Sequence, residues 1–429
     1  MKTTDYRKII AGICRIILGA TFIFSGAVKC IDPVGGAIKI EDYFGAFGLS
    51  AFNPIAPFVS FNLSAIEFML GLCILMAVYR RLTTMCMLAF MVFMTLLTLY
   101  LAVFNPVHDC GCFGEAIILT NWQTFFKNFL ILLPASVITY LYHKRMTPVY
   151  TYKVYWFIVL FAYAFPMWFS WYNYSHLPII DFRPYKIGAN IPGLMSFPAD
   201  APQDEYRFIY KKNGEKKAFT SETAPAGDST WTFVEAELIK EGYVPPVTSF
   251  ELYNNMEDNI AEEILSAENG VFLLIAHKTE KASDKKTDEI NNIYDYARER
   301  HIDFYGVTSS TGEEINAWIN NTGAEYPFLT ADDVTLKTIV RANPGLVLLK
   351  SGTILRKWHY NDIPSEDQVS AVMDKLLYVP EKQPKKEMSP WIWIICCFTL
   401  PLLFVWIYDY LRNRRKTKPE KTTENFLNI

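Results

Sequence analysis

The sequence carries almost no net charge, -3 from 41 basic and 44 acidic residues, and only six histidines. Such a balance excludes the strong positive field on which nucleic-acid binding depends, so no nucleic-acid partner is expected. The chain contains no phosphate-binding loop ending in Gly-Lys, no His-Glu-x-x-His helix and no Gly-x-Ser-x-Gly elbow, which removes the usual signatures of nucleotide, zinc-protease and serine-hydrolase chemistry. Cysteine is absent over one long stretch. The eight thiols are Cys14, Cys30, Cys73, Cys86, Cys110, Cys112, Cys396 and Cys397, and none falls between Cys112 and Cys396. Thiol chemistry is thereby confined to the two ends of the chain.

What the sequence does have is long apolar runs. Six of them, Ile9–Val28, Leu63–Tyr79, Thr84–Phe104, Phe125–Tyr142, Val154–Trp171 and Trp391–Tyr410, reach across a hydrocarbon core of about 30 Å at about 1.5 Å per residue, the second with snorkelling ends. The fold class this predicts is a membrane α-helical bundle of six transmembrane helices, with lipid as an obligatory partner. The intervening loops are asymmetric in charge. Fourteen lysines and arginines flank the spans on one side, before span 1, at 80–81, at 144–153 and after 410, whereas the opposite loops 29–62 and 105–122 hold only Lys29 and Lys39. By the positive-inside rule both termini are cytoplasmic, and loop 105–122 and the long segment after span 5 face outward. In a bacterium this is the inner membrane with 174–388 in the periplasm, a compartment in which disulfides form and persist.

The expected organisation is a compact four-span membrane domain over 1–145, a fifth transmembrane helix over 146–173, an extracytoplasmic α/β domain over 174–388, a sixth transmembrane helix over 389–411 and a basic cytoplasmic tail over 412–429. Loop 29–62 is unusually long, with apolar residues at helical spacing, and suits a flap on the membrane surface above the cysteine-bearing loop. In the α/β part, "RFIYKKNGEKKAF" reads as a hairpin with an Asn-Gly turn. Buried runs "FLLIA" and "DFYGV", separated by a helical run over 284–300, indicate a parallel βαβ crossover. Further helical runs at Glu313–Asn320 and "DVTLKTIV", a strand in "YPFLTAD", a closing hairpin "GLVLLKSGTILRKWH" turning at Ser351-Gly352, and an amphipathic helix near 365–378 complete it.

Two stretches carry family resemblance. "FSGAVKCIDPVGGAIKIEDYFGAFGL", then "AIEFMLGLCIL", then "CGCFGEAIILTNWQTFFKNFLIL" with its Lys127-Asn128 pair, resemble the DoxX family and its branch around the methylamine-utilisation membrane protein MauE, over residues 9–145. The resemblance implies a DoxX-like four-helix core associated with periplasmic disulfide chemistry. The outer domain resembles the thioredoxin and peroxiredoxin folds, with "ANPGLVLLKSGTILRKW" in place of the closing hairpin and Pro344 where those families have a cis-proline. It departs from them after its first buried strand, where "AHKTEKASDKK" stands and no Cys-x-x-Cys does. The domain cannot exchange thiols alone, and what carries over is a partner groove beside Pro344.

The residues themselves favour chemistry at "NPVHDCGCFGEA". A Cys-x-Cys bridge closes only if the middle residue turns tightly, which Gly111 permits. So small a ring is strained, and strained exposed disulfides are labile and oxidising. Lys127 and the positive end of its helix stabilise a thiolate, His108 is a candidate proton acceptor, and Cys30, at the outward end of span 1, is a candidate resolving thiol. Three chemistries fit: exchange at Cys110 and Cys112 with a periplasmic thiol protein, a static disulfide staple, and a soft-metal site for Cu(I) or Zn(II) built from His108, Cys110, Cys112 and Cys30. Exchange is favoured. Glu67, inside span 2, requires a partner, and Lys29 with Asp32 beside it supplies one, either as a structural ion pair or as a proton path to a bound quinone. No cofactor is fixed by these residues. The alternative to a thiol-disulfide oxidoreductase is a non-catalytic scaffold that holds envelope proteins through the cysteine-free domain.

Overall fold

The structure is a computed structural model and describes residues 6–107, 109–198, 200–212, 214–225, 227–240, 242–365, 368–370 and 390–416. The chain divides into two compact units, Met1–Phe182 with Pro380–Ile429, and Arg183–Val379.

In the first unit, α1 (Tyr6–Ile31), α3 (Ala56–Met76), α4 (Arg80–Phe104), the helix built from α5 (Asn121–Phe126), a π-turn over Lys127–Leu132 and α6 (Leu133–Leu141), then α7 (Tyr155–Ser175) and the C-terminal helix Pro390–Lys416 supply six helices long and apolar enough to cross a membrane. In a bilayer their exposed Ile, Leu and Phe side chains contact lipid. The first four spans share a core of Leu18, Phe22, Leu70, Ile74, Met87, Met91, Leu132 and Ala135. A second cluster joins α3 and α7 to the C-terminal helix through Cys73, Ile158, Ala162 and Leu402. Cys14 and Cys73 are packing residues in these two clusters.

The second span differs from the apolar run that announces it. Its helix stops at Met76, because Ala77 and Tyr79 take left-handed backbone (φ +53° and +41°) and turn the chain into α4. Nothing in "AVY" signals such a stop, which is ordinarily glycine's work. At that end of the bundle Arg15, which lies within the first apolar run, donates to the carbonyls of Leu75 and Thr147, and Arg80 to that of Met146 at 2.7 Å. The last helix is tied in by Asp409, only 5% exposed, which accepts from the Thr151 backbone N–H (2.8 Å) and hydroxyl (2.5 Å).

Helices α1 and α3 approach closely through glycine. A Cβ on Gly26 would stand 2.7 Å from the Phe68 nitrogen and the Ser64 carbonyl oxygen, and one on Gly71 would stand 2.7 Å from the Ile23 nitrogen. In lipid, where no hydrophobic force draws helices together, such backbone proximity supplies packing. Loop 29–62 folds into α2 (Pro33–Ala46), capped by Asp32, whose carboxylate accepts from the Gly35 N–H at 2.8 Å, followed by a short 3-10 turn over Ser50–Ile55.

The second unit begins with α8 (Ile191–Met195) and an antiparallel sheet of β1 (Glu205–Lys212), β2 (Glu215–Phe219) and β3 (Thr232–Lys240) in the order β2-β1-β3. The first two strands are the hairpin read from the sequence; Asn213 of its turn lies outside the described residues. Strand β3 is additional. Its adjacent pairs Phe233-Val234 and Leu238-Ile239 obscure the period-two pattern, and its register against β1 shifts twice, so alternation alone does not reveal it. After α9 (Ala261–Ser266) comes a five-stranded sheet of β4 (Val271–Ile275), β5 (Asp303–Thr308), β6 (Phe328–Thr330), β7 (Gly345–Lys350) and β8 (Thr353–His359), ordered β6-β5-β4-β7-β8. Strands β4, β5 and β6 run parallel, and β7 and β8 antiparallel. Helices α10 (Thr287–Glu299), α11 (Gly312–Thr322) and α12 (Asp333–Ile339) connect them. All five residues of β4 are buried, which explains its unbroken apolar run. Ser351 and Gly352 both have positive φ (+47° and +70°), as the tight β7–β8 turn requires. The helix near 365–378 and the basic tail beyond Lys416 fall largely outside the described residues.

Replacing Gly26 with leucine is expected to force α1 off α3 and to destabilise the membrane unit by about 1–3 kcal/mol, the usual range for overpacking. Gly12→Ala, where a Cβ meets nothing within 4 Å, is the control and leaves stability unchanged. Thermal unfolding of both variants in detergent checks this.

Candidate functional site

Cys110 and Cys112 sit in the connection between α4 and α5. Asn105, with φ +47°, ends α4, and Thr120 caps α5 through a reciprocal pair of contacts with Gln123. Between them the chain is pinned from every side. Asn121 Nδ2 donates to the Val107 carbonyl at 2.8 Å and to Asn105 Oδ1 at 2.9 Å, and Asp109 pairs with Thr120 in a single β-bridge. Asp109 Oδ1 accepts from the Gly111 N–H at 2.8 Å, which folds Cys110-Gly111-Cys112 into a turn. Gly111 adopts φ +63°, and a Cβ there would lie 2.9 Å from Lys39 Cγ, so glycine is needed both for the turn and for the approach of α2.

Helix α2 lies against this turn. Lys39 Nζ reaches Asp109 Oδ2 at 2.9 Å, and the Tyr43 hydroxyl donates to the Cys110 carbonyl at 3.0 Å. Burial first, and then the neighbouring thiols and Asp109, push the Tyr43 phenol up, which keeps it a neutral donor. From α1, Ser25 Oγ stands 2.6 Å from the Cys112 carbonyl oxygen and 2.7 Å from Glu67 Oε2. Glu67, 3% exposed on α3, is held by Lys29 Nζ at 2.7 and 2.8 Å to its two oxygens. A carboxylate this deep in an apolar span is tenable only with such a partner.

The two sulfur atoms are 3.1 Å apart as free thiols in contact. Cys110 is buried at 7% exposure, and Cys112 is half-buried. The contact splits their acidities. The Cys110 S–H lowers the Cys112 thiol, the Lys127 and Lys29 charges lower it further, and desolvation opposes them. Cys110 is driven upward by the same contact and by burial. Cys112 is thus the ionised, more accessible sulfur, and Cys110 the proton-bearing one. Lys127 reaches this environment beside Phe113, its ammonium 4.1 Å from the ring centroid.

A cavity of about 210 Å³ adjoins the pair, lined by Lys29, Asp32, Lys39 and Tyr43 on one side and by Phe90, Phe93, Met94 and Leu97 of α4 on another. A smaller pocket of about 30 Å³ brings Ser25, Glu67, Cys112, Lys127 and Asn128 together. Of the residues singled out from the sequence, Cys110, Cys112, Lys29 and Asp32 meet at the first pocket, and Cys112, Lys127 and Glu67 at the second. Cys30 is placed elsewhere: it is 2% exposed and packs with Ile31 and Phe169, and its carbonyl accepts from Asn173 Nδ2 at 3.1 Å. His108 lies outside the described residues. Among the described residues no three His, Cys, Asp or Glu side chains group as metal ligands.

Ser25, Lys39 and Tyr43 were not singled out from the sequence as site residues. Their signal is spacing: Ser25 and Lys29 are four apart on one face of an apolar helix, and Lys39 and Tyr43 four apart on α2; Asp-x-Gly at 109–111 is turn chemistry.

In the second unit Pro344 follows a cis peptide bond and leads into β7. After β4, at the position read as lacking its thiols, Asn343 Nδ2 donates to the Lys278 carbonyl at 2.9 Å and the Thr279 N–H to Ser310 Oγ at 2.9 Å. Burial first, with the Lys337 charge, depresses His277 to about 4, so it is a neutral imidazole.

Comparison with known proteins places the thiol loop inside one family match. Residues 7–141 match the model described as "Methylamine utilisation protein MauE", and residues 204–241 one described as "Domain of unknown function (DUF8463)". No curated protein matches. Among solved structures the chain is similar to one titled "Solution structure of a putative protein disulfide isomerase from Bacteroides thetaiotaomicron", at 14% identity over 30% of this chain and 86% of that one, with a TM-score of 0.25.

Because Cys112 is lowered, its alkylation by iodoacetamide is expected to persist several-fold faster at pH 7 than that of an ordinary thiol titrating near pH ~8.5. Lys127→Met removes a stabilising charge and moves the midpoint of the rate profile upward, while Lys127→Arg keeps it. A pH series read by mass spectrometry at residue 112 checks both.

Proposed function

We propose that this protein is a thiol-disulfide oxidoreductase of the bacterial inner membrane, whose Cys110–Cys112 pair accepts electrons from a periplasmic thiol protein and passes them on to quinone. The observation that carries this reading is the pair of touching, unequally acidic sulfur atoms on a turn held by α1, α2 and α5. The match of residues 7–141 to MauE and the charge asymmetry of the loops support the membrane setting and the outward orientation.

The exchange runs as follows. With Cys110 and Cys112 joined as a disulfide, a partner thiolate attacks Cys112 Sγ, the half-buried sulfur; the Cys110–Cys112 bond breaks, and Cys110 leaves and takes up a proton. A second partner thiolate then attacks its own half of the mixed disulfide and displaces Cys112 as a thiolate, the form stabilised by the Cys110 S–H, Lys127 and Lys29. The partner leaves oxidised and the pair is reduced, with two electrons transferred.

The 183–379 unit lacks cysteine, and we read it as a thioredoxin-like module that presents the partner. Its β6-β5-β4-β7-β8 order, with parallel β4–β6 and a closing antiparallel hairpin, supports this. That same lack of thiols favours the second reading, a non-catalytic scaffold for envelope proteins.

In Cys110→Ser the Cys112 thiolate is expected to attack an oxidised partner, the second exchange in reverse. This leaves a mixed disulfide that no Cys110 resolves, visible as a reducible higher-mass band in membranes, and Cys112→Ser is expected to leave none. Full function of a double serine variant in a complementation assay would instead favour the scaffold.

A further inference from the structure

We infer that the 210 Å³ cavity beside the pair is a quinone-ring site entered sideways from the lipid, an assignment that rests on the thiol-exchange reading and locates its electron acceptor. One wall is a face of α4: Phe90, Phe93, Met94 and Leu97 recur at the i, i+3, i+4, i+7 spacing, and Met94 and Leu97 pack with Cys110 and Cys112. Phe93 is also 63% exposed, and Val92 and Leu96 beside it are 44% and 64% exposed on a helix apolar enough to cross a membrane. Ile118, which also lines the cavity, is 64% exposed. The rim is thus formed by side chains that face acyl chains, and a lipid-soluble molecule reaches the sulfur atoms without crossing water.

The interior suits a ring with polar oxygens. A cavity of about 150 Å³ accepts benzene, so this one admits a substituted six-membered ring. Its lining is also polar on the α2 side: Lys39, paired with Asp109 beside the thiol turn, has further ammonium hydrogens to donate to a ring oxygen. The redox count also agrees. The Cys112 thiolate and Cys110 thiol lose two electrons as the S–S bond forms and the Cys110 S–H bond breaks. The ring accepts both electrons, the Cys110 proton and one proton drawn from solvent, and leaves as the quinol.

The test uses the full chain in nanodiscs of quinone-free phospholipid, reduced and freed of reductant, with decylubiquinone as probe. The parent protein is expected to consume one quinone per thiol pair, and a Cys110→Ser/Cys112→Ser variant none. Leu97→Trp, which fills the cavity from its apolar wall, is expected to slow quinone consumption at least tenfold, its folding verified by thiol titration with a water-soluble aromatic disulfide. Photolabelling of the parent chain with an azidoquinone, which requires no variant, is expected to mark peptides containing residues 33–46 or 90–97. Oxidation of the parent pair by glutathione disulfide but not by quinone would overturn this inference and leave thiol exchange standing. A pair inert to both oxidants would overturn the exchange reading as well. Parent-like quinone consumption by Leu97→Trp, or photolabel confined to other segments, would overturn the site.

Discussion

The buried ion pair between Lys29 and Glu67 is the constraint on which the rest of the thiol site depends. It joins α1 to α3 at a seam where glycines bring the two backbones together, and in an apolar setting neither charge is tolerable without the other. The pair fixes Glu67, and the Ser25 hydroxyl stands within hydrogen-bond distance of both the Glu67 carboxylate and the Cys112 carbonyl, donating its one proton to one or the other. The cysteine turn is in this way referenced to a closely packed seam of the bundle, and loop mobility is exchanged for position. The same Lys29 charge lowers the Cys112 thiol, so one cation serves both the scaffold and the chemistry.

Helix α2 completes the arrangement from the opposite side. Lys39 and Tyr43 hold Asp109 and the Cys110 carbonyl, so the turn lies between two helices that are adjacent in sequence, joined at Asp32. Two thiols that differ in burial and in acidity are what exchange calls for: one sulfur to be reached and to leave as an anion, and one to close the bridge. A static staple would have no use for a split in acidity. The cavity lined by α2 and α4 adjoins both sulfur atoms.

Much of the architecture was legible in the sequence because lipid imposes simple rules. Apolar runs of near 20 residues mark the spanning helices, and "FLLIA" and "DFYGV" mark buried parallel strands for the same reason of uniform surroundings. What was hidden depends on three-dimensional proximity. The end of α3 at Met76 uses left-handed Ala77 and Tyr79, residues with no intrinsic preference for that conformation. Strand β3 is masked by its own irregular register. At the site, Cys110, Cys112, Lys127 and the Glu67–Lys29 pair stand out as residue types that need a reason to be where they are, whereas Ser25, Lys39 and Tyr43 are unremarkable until α1 and α2 are folded against the turn. Cys30 also depends on packing: it is buried with Ile31 and Phe169 at the end of α1.

The central claim is that Cys110 and Cys112 cycle between dithiol and disulfide in the membrane. Its most direct measurement is mass spectrometry of the peptide spanning both residues, from cells alkylated at the moment of lysis, with and without a pulse of external reductant. The account predicts two populations, one doubly alkylated and one bridged and unalkylated, whose ratio moves with the pulse and recovers afterwards. A single population that never changes, whether always bridged or always free, would contradict it.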